Sequence, residues 1–331
     1  MILLPRVLSS PLALALFAVS ASSSYAAVFN VNESGEWSDP TVWPGATIPA
    51  PFDEVWMNKP DKTLTIPSDY TAEIDKLIVG RHALNTNVNV NGGTLLVGSG
   101  DNDVLFVGQY DDAEGTFSLN SGRVEVQGEL AVAVSGKGTW IQNGGSVYVR
   151  DRFVIGRYER GEAVGSVILR GGSIVADRFD MNTLSTLRLE GGLLELRGNH
   201  LSKVQGHIDA GRIVGSSIPK LSYEVESDTT YVWVPRLWIY NGEGEWSDPT
   251  VWPGATIPAP FDEVWMNKPD KTLTIPSDYT AEIDKLIVGR HALNTNVNVN
   301  GGTLLVGSGD NDVLFVGQYD DAEGTFSLNS G

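Results

Sequence analysis

The 331-residue sequence predicts an all-β fold: a right-handed parallel β-helix with three short strands per coil, tandemly duplicated, the second copy truncated. Three observations carry that expectation. Apolar residues recur with period two along short runs, and runs with helical period are missing. A strand–turn pattern of roughly 25 residues repeats five times, the length of one β-helix coil. Finally, Gly35 to Gly122 recurs without a single change as Gly244 to Gly331, an offset of 209 residues.

The short repeat fixes the elements in order. Each segment opens on a strand: Leu77-Ile78-Val79-Gly80, Leu105-Phe106-Val107-Gly108, Leu130-Ala131-Val132-Ala133, Phe153-Val154-Ile155-Gly156 and Phe179-Asp180-Met181-Asn182. These starts lie 28, 25, 23 and 26 residues apart. After a loop of variable length a second strand runs into a turn, as in Asn87 to Gly93, Thr116 to Gly122, Thr139 to Gly145, Ser166 to Gly172 and Thr186 to Gly192. A third strand leaves each turn, carrying Leu95/Val97, Val124/Val126, Val147/Val149, Ile174/Ala176 and Leu194/Leu196.

Alternate side chains of a strand point to opposite faces. Val88/Val90, Phe117/Leu119, Val167/Leu169 and Leu187/Leu189 therefore line up as columns through one interior when the segments stack. Asn91, Asn120 and Asn143 share one turn position, where stacked amides can form a ladder. Gln142 aligns with Leu119 and breaks the apolar pattern. Either it bonds to backbone inside, or Ile141 takes the inner place through a bulge, the preferred expectation. Asn182 stands where other segments carry a glycine and is expected at positive φ. A propeller would need longer, antiparallel blades, which these spacings do not provide.

The chain divides into a signal peptide (1–26), an N-terminal cap with first strands (27–76), five coils (77–197), a closing segment (198–236) and a partial second copy (237–331). Solenoids need caps because their ends expose unpaired strands and core. The lead-in carries Trp37, Trp43 and Trp56 among prolines, and the closing segment carries an expected hairpin of 221–226 with 229–234. The exact duplication reads as a recent tandem event or a gene-assembly error. Because the second copy stops within a coil, the chain is expected to be a piece of a longer repeat protein, with a 290–331 end that self-associates.

Here the sequence resembles a known group. Trp37-x5-Trp43-Pro44 with Pro49 and Asp53-Glu54-Val55, followed by Leu-x-Val-Gly rungs and Gly-Gly turns, is similar to large secreted bacterial proteins with autotransporter-passenger-like β-helix repeats, many of which carry a PEP-CTERM-type sorting signal. The resemblance covers nearly all of 30–236 and the second copy. It implies a fold and says little about activity. Neither the sorting signal nor a barrel occurs in these residues.

Met1 to Arg6, the apolar run Val7 to Ala21 and Ser24-Tyr25-Ala26 read as a secretory signal cleaved after Ala26. The expected location is therefore secreted or cell surface, with no membrane span in the mature chain. There is no cysteine, so burial and hydrogen bonding must hold the exported fold. The net charge of −18 sits in the two identical segments, −9 each, while 123–243 balance 14 acidic against 14 basic residues. An acidic chain repels nucleic acid and anionic lipid.

No catalytic constellation is legible. The aspartates lack the Gly-His-Gly and Arg-Ile-Lys partners of pectin hydrolases, and 82–122 contain no Lys or Arg to hold a carboxylated substrate. Asp101, Asp103, Asp111, Asp112 and Glu114 lie on two loops of adjacent rungs as a Ca²⁺ candidate, although no EF-hand or nonapeptide spacing is present. Trp37 and Trp43 are either carbohydrate-stacking residues or a plug for the open end of the β-helix. The expected function is a non-enzymatic extracellular scaffold or adhesin without an obligatory cofactor. The other reading is a β-helix that binds or cleaves carbohydrate. Its partners would be extracellular polysaccharides or cell-surface components.

Overall fold

In the computed structural model the described residues are 26–98, 104–157, 162–240, 242–253, 257–307 and 313–330, and they form a parallel β-solenoid. The signal-peptide expectation lies almost wholly outside them. Three stacks of parallel strands wrap each core, as the five aligned segments predict. The first stack runs Val28–Asn30, Glu54–Met57, Lys76–Val79, Val104–Val107 and Glu129–Val132, then 153–155 and 179–181. The second stack pairs 87–90, 116–119, 139–142, 166–169 and 186–189 in register. The third pairs 71–74, 94–97, 123–126, 146–149, 173–176 and 193–196.

The lead-in is not outside the solenoid. Val28–Asn30 and Glu54–Met57 are rungs beneath Lys76–Val79, so the first copy has seven rungs rather than five. Their alternation was present in Val55/Met57, Leu64/Ile66 and Ala72/Ile74, all buried, but prolines punctuate it. The second copy restarts at Leu237–Tyr240 and adds four rungs, making about 11 turns in all.

The strand phase is as expected. Val88, Val90, Phe117, Leu119, Val167, Leu169, Leu187 and Leu189 are all fully buried in one core. Phe117 and Trp140 stack flat, centroids 4.3 Å apart, as neighbouring members of a column. Gln142 corrects the bulge expectation. It stays in register with Leu119 and Leu169, is 0% exposed, and donates from Nε2 to the carbonyls of Gly145 (3.2 Å) and Ser173 (3.1 Å). Two backbone carbonyls satisfy the amide more cheaply than an extra residue disturbs six ladder pairs.

The amide ladder forms at the turn. Asn120 Nδ2 donates to Asn91 Oδ1 at 2.7 Å and Asn143 Nδ2 to Asn120 Oδ1 at 2.6 Å. Arg170 then donates to Asn143 Oδ1 at 3.2 Å and reaches Glu190 at 3.0 Å, continuing the line upward. The second copy repeats the first step between Asn329 and Asn300. At the corner after the first strand, Gly80, Gly108 and Gly156 have φ between 73° and 75°. Asn182 does not take this conformation. Its side chain instead bonds Ala163 O and accepts from Leu184 N, while Ala133 holds φ 69°.

The closing segment ends the parallel stack. Helix Leu201–Asp209, unforeseen in the sequence, lays Val204 and His207 inward. The hairpin Lys220–Glu224 with Thr229–Trp233 forms as expected and pairs antiparallel with Leu193–Arg197. An antiparallel strand gives the next parallel rung nothing to continue.

Candidate functional site

The structure places the proposed Ca²⁺ ligands only in part, because Asp101 and Asp103 lie outside the described residues. Asp111 and Asp112 are exposed in one turn, and Glu114 opens the following strand. Asp112 faces His82 Nδ1 at 3.2 Å, and the His82 ring stacks on Tyr110 at 4.1 Å. Among the described residues no three His, Asp or Glu side chains gather as a metal-binding group. Trp37 and Trp43 are 1% and 3% exposed, so neither presents a ring face at the surface. They pack edge to face at 5.1 Å, Trp43 Nε1 donates to Trp37 O at 2.8 Å, and Phe29 abuts Trp43 at the base of the core.

Two other places concentrate polar groups. The first is the joint between the copies. Phe261 of the second copy lies over Trp233 (centroids 4.5 Å) and Tyr231 (5.7 Å) of the closing hairpin. Arg236 Nε donates to Glu190 O at 2.9 Å. Asp262 accepts from Arg236 N (3.1 Å), Ala259 N (2.9 Å) and Trp238 Nε1 (2.7 Å). A cavity of about 290 Å³ remains here, with Glu195 and Trp233 on one side and Pro260 and Asp262 on the other. Sequence reasoning could not find this joint, since Phe52 and Phe261 share an identical local sequence. Phe52 is 49% exposed and Phe261 8%, although both hold a left-handed φ of 75° and 72°.

Burial raises the Glu195 carboxyl above its ordinary value. It also pushes Asp262 up to about 6, against the pull of the three N–H donors. The folded carboxyl of Asp262 thus keeps its proton to higher pH than the unfolded chain, whose value is near 3.9. Unfolding between about pH 4 and 6 releases that proton, so the group's contribution to stability is largest at low pH and falls as pH rises. We expect wild type to lose up to about 3 kcal/mol relative to Asp262→Asn across that window. Chemical unfolding of both proteins at pH 4, 5, 6 and 7 measures it, and parallel curves would show that Asp262 does not titrate there.

The second place is a groove of about 600 Å³ beside the last rungs of the first copy. Arg152 and Arg157 flank the strand 153–155, Lys203 and His207 project from one face of the helix four residues apart, and Arg212 follows the helix end. Val154 and Met181 contribute an apolar wall. Arg152 and Arg157 share Glu129, the latter at 3.3 Å, and Lys203 meets Asp180 at 2.6 Å. His207 is 7% exposed, and burial, with Arg212 and Lys203 nearby, holds its pKa below the usual imidazole value. The sequence hid this cluster because its cations are spread over 61 positions of a segment that is neutral on average.

The class these features define is a duplicated parallel β-solenoid with a built joint between copies. No family model, curated protein or solved structure matches the chain.

Proposed function

We propose that the protein is a non-enzymatic extracellular scaffold or adhesin, secreted or held at a cell surface, whose solenoid copies act as modules seated one on another. The kinship with bacterial passenger-like repeat proteins belongs to the same proposal and rests on the Trp37/Trp43 lead and the repeated glycine turns. The observation that carries it is the joint: Phe52 is half exposed in the first copy, while Phe261 of the identical loop is buried in the second against the preceding hairpin. A module that offers a receiving surface at its closing end and an aromatic loop at its opening end suits serial assembly.

Phe261→Ala in the full chain should weaken the seating by about 3 kcal/mol, the usual cost of truncating a buried Phe, and split thermal unfolding into two transitions. Phe52→Ala, the same substitution in the same local sequence, should leave one transition and cost under about 1 kcal/mol. Scanning calorimetry checks both. Equal behaviour of the two variants would remove the joint as a module contact. New reducing ends released from a polysaccharide panel would overturn the non-enzymatic reading.

A further inference from the structure

We propose that the groove formed by Arg152, Arg157, Lys203, His207 and Arg212 binds the oxyanion groups, carboxylate or sulfate, of an acidic saccharide. This goes beyond the scaffold reading and gives the first copy a ligand site.

Charge is the first argument. Four permanent cations line the groove, and the carboxylates that meet them among the described residues are Glu129 and Asp180. Among the described residues the excess is positive, in a chain whose net charge is −18. Fields of exposed charges fade within about 8 Å at physiological salt, so the local excess governs a ligand once it arrives.

Unmet hydrogen-bonding capacity is the second. His207 is more than nine-tenths buried, lines the groove, and its Nδ1 has no hydrogen-bond partner. Arg212 Nε is buried and lacks a partner in the same way. A buried polar nitrogen costs free energy when its hydrogen bond is unmade. Both side chains line one cleft beside Lys203 and the two arginines, and these cations supply the donor set for oxygen acceptors. The guanidinium fork suits paired oxygens, those of a planar carboxylate or two of the oxygens of a tetrahedral sulfate.

Shape is the third. The groove is far larger than one inorganic anion, and nearly buried Val154 and Met181 form an apolar patch of its lining between the charged side chains. A ligand combining oxyanions with apolar ring faces at this scale is an oligosaccharide bearing uronate or sulfate groups. Burial first, and then repulsion from Arg212 and Lys203, holds the His207 pKa down, and an anion bound beside the ring offsets that repulsion and shifts it towards the imidazolium.

The test is calorimetric titration of the full chain at low salt with trigalacturonate, a sulfated trisaccharide, maltotriose and inorganic sulfate. Both acidic trisaccharides should bind, maltotriose should not, and sulfate alone should bind at least tenfold more weakly. Lys203→Gln and Arg212→Gln should each weaken acidic-sugar binding fivefold or more. Arg178→Gln, an exposed residue outside the groove paired with Asp151, should not. In the unmodified chain binding should fall steeply with added NaCl, and the His207 ring resonances should move towards the protonated form on saturation. These two readouts keep the test decisive if a variant misfolds. Binding unchanged in both Gln variants, maltotriose matching the acidic sugars, or a His207 resonance that ignores them would overturn the assignment. Sulfate binding as tightly as the trisaccharides would overturn the saccharide.

Discussion

Val167→Asp should unfold the middle of the first copy, at a cost above about 4 kcal/mol. Val167 is fully buried, in register between Trp140 below and Leu187 above, among the apolar side chains of the core. Gln142 already spends its amide on Gly145 and Ser173, and the neighbouring Trp140 Nε1 already faces Gln142 Oε1 at 3.5 Å, so the new carboxylate would lack the several donors a buried charge needs. Leu119→Asp, between Val90 and Gln142 in the neighbouring column, should behave the same way. Ser118→Asp should stay within about 0.5 kcal/mol, because Ser118 and its neighbours Asn89 and Ile141 lie on the outer face. Urea unfolding followed by circular dichroism measures all three. Equal losses at 118 and 119 would contradict the strand phase.

Gly108→Ala should cost more than about 3 kcal/mol, and Gly211→Ala only about 1 kcal/mol. The two glycines share nearly the same backbone, φ 73° and 67°. A Cβ on Gly211 would meet nothing within 4 Å, so only the left-handed conformation is charged against alanine. A Cβ on Gly108 would lie 2.2 Å from Lys137 O and 2.5 Å from Lys137 C, in the backbone of the coil above. That backbone is held by the register of Lys137 with Glu114 and Val164 and cannot yield alone. Ala133, at φ 69° in the same corner column, shows that the conformation itself admits alanine. The difference between the two glycines is therefore a measurement of how closely coils approach. Similar melting temperatures for both variants would mean that the stack is looser than these distances state.

What the sequence disclosed and what it hid divide along one line. The apolar columns and the amide ladder recur at matching places once per coil, the closing hairpin is a pattern within one segment, and all three form as read. The two lowest rungs were obscured because Pro40, Pro44, Pro49 and Pro51 interrupt them, although the strand Glu54–Met57 keeps its alternation. The helix is nine residues long with Gly206 inside, too short and too weak in propensity to stand out. Gln142 could not be placed because its acceptors are backbone carbonyls, one at a turn and one at the start of a strand 31 residues on. The joint is beyond any sequence rule, since Phe52 and Phe261 are the same word in different surroundings. The sequence did disclose the other contrast between the copies: Phe106 and Leu119 are buried under further coils, while Phe315 and Leu328, in the truncated second copy, are exposed. The cationic groove required the coil geometry to bring Arg152 and Arg212 to one place.

Parallel stacking also sets how the molecule bears load. Every ladder hydrogen bond, and each link from Asn91 through Asn143 to Glu190, runs along the direction in which coils are added. A pull along that direction opens the bonds of one coil before it reaches the next, like a zipper, so the force is met by a few bonds at a time. A pull across it, along the strands, must slide whole rows of side chains past one another at once. The solenoid is thus a spring that pays out coil by coil under axial tension and stays stiff against sideways shear.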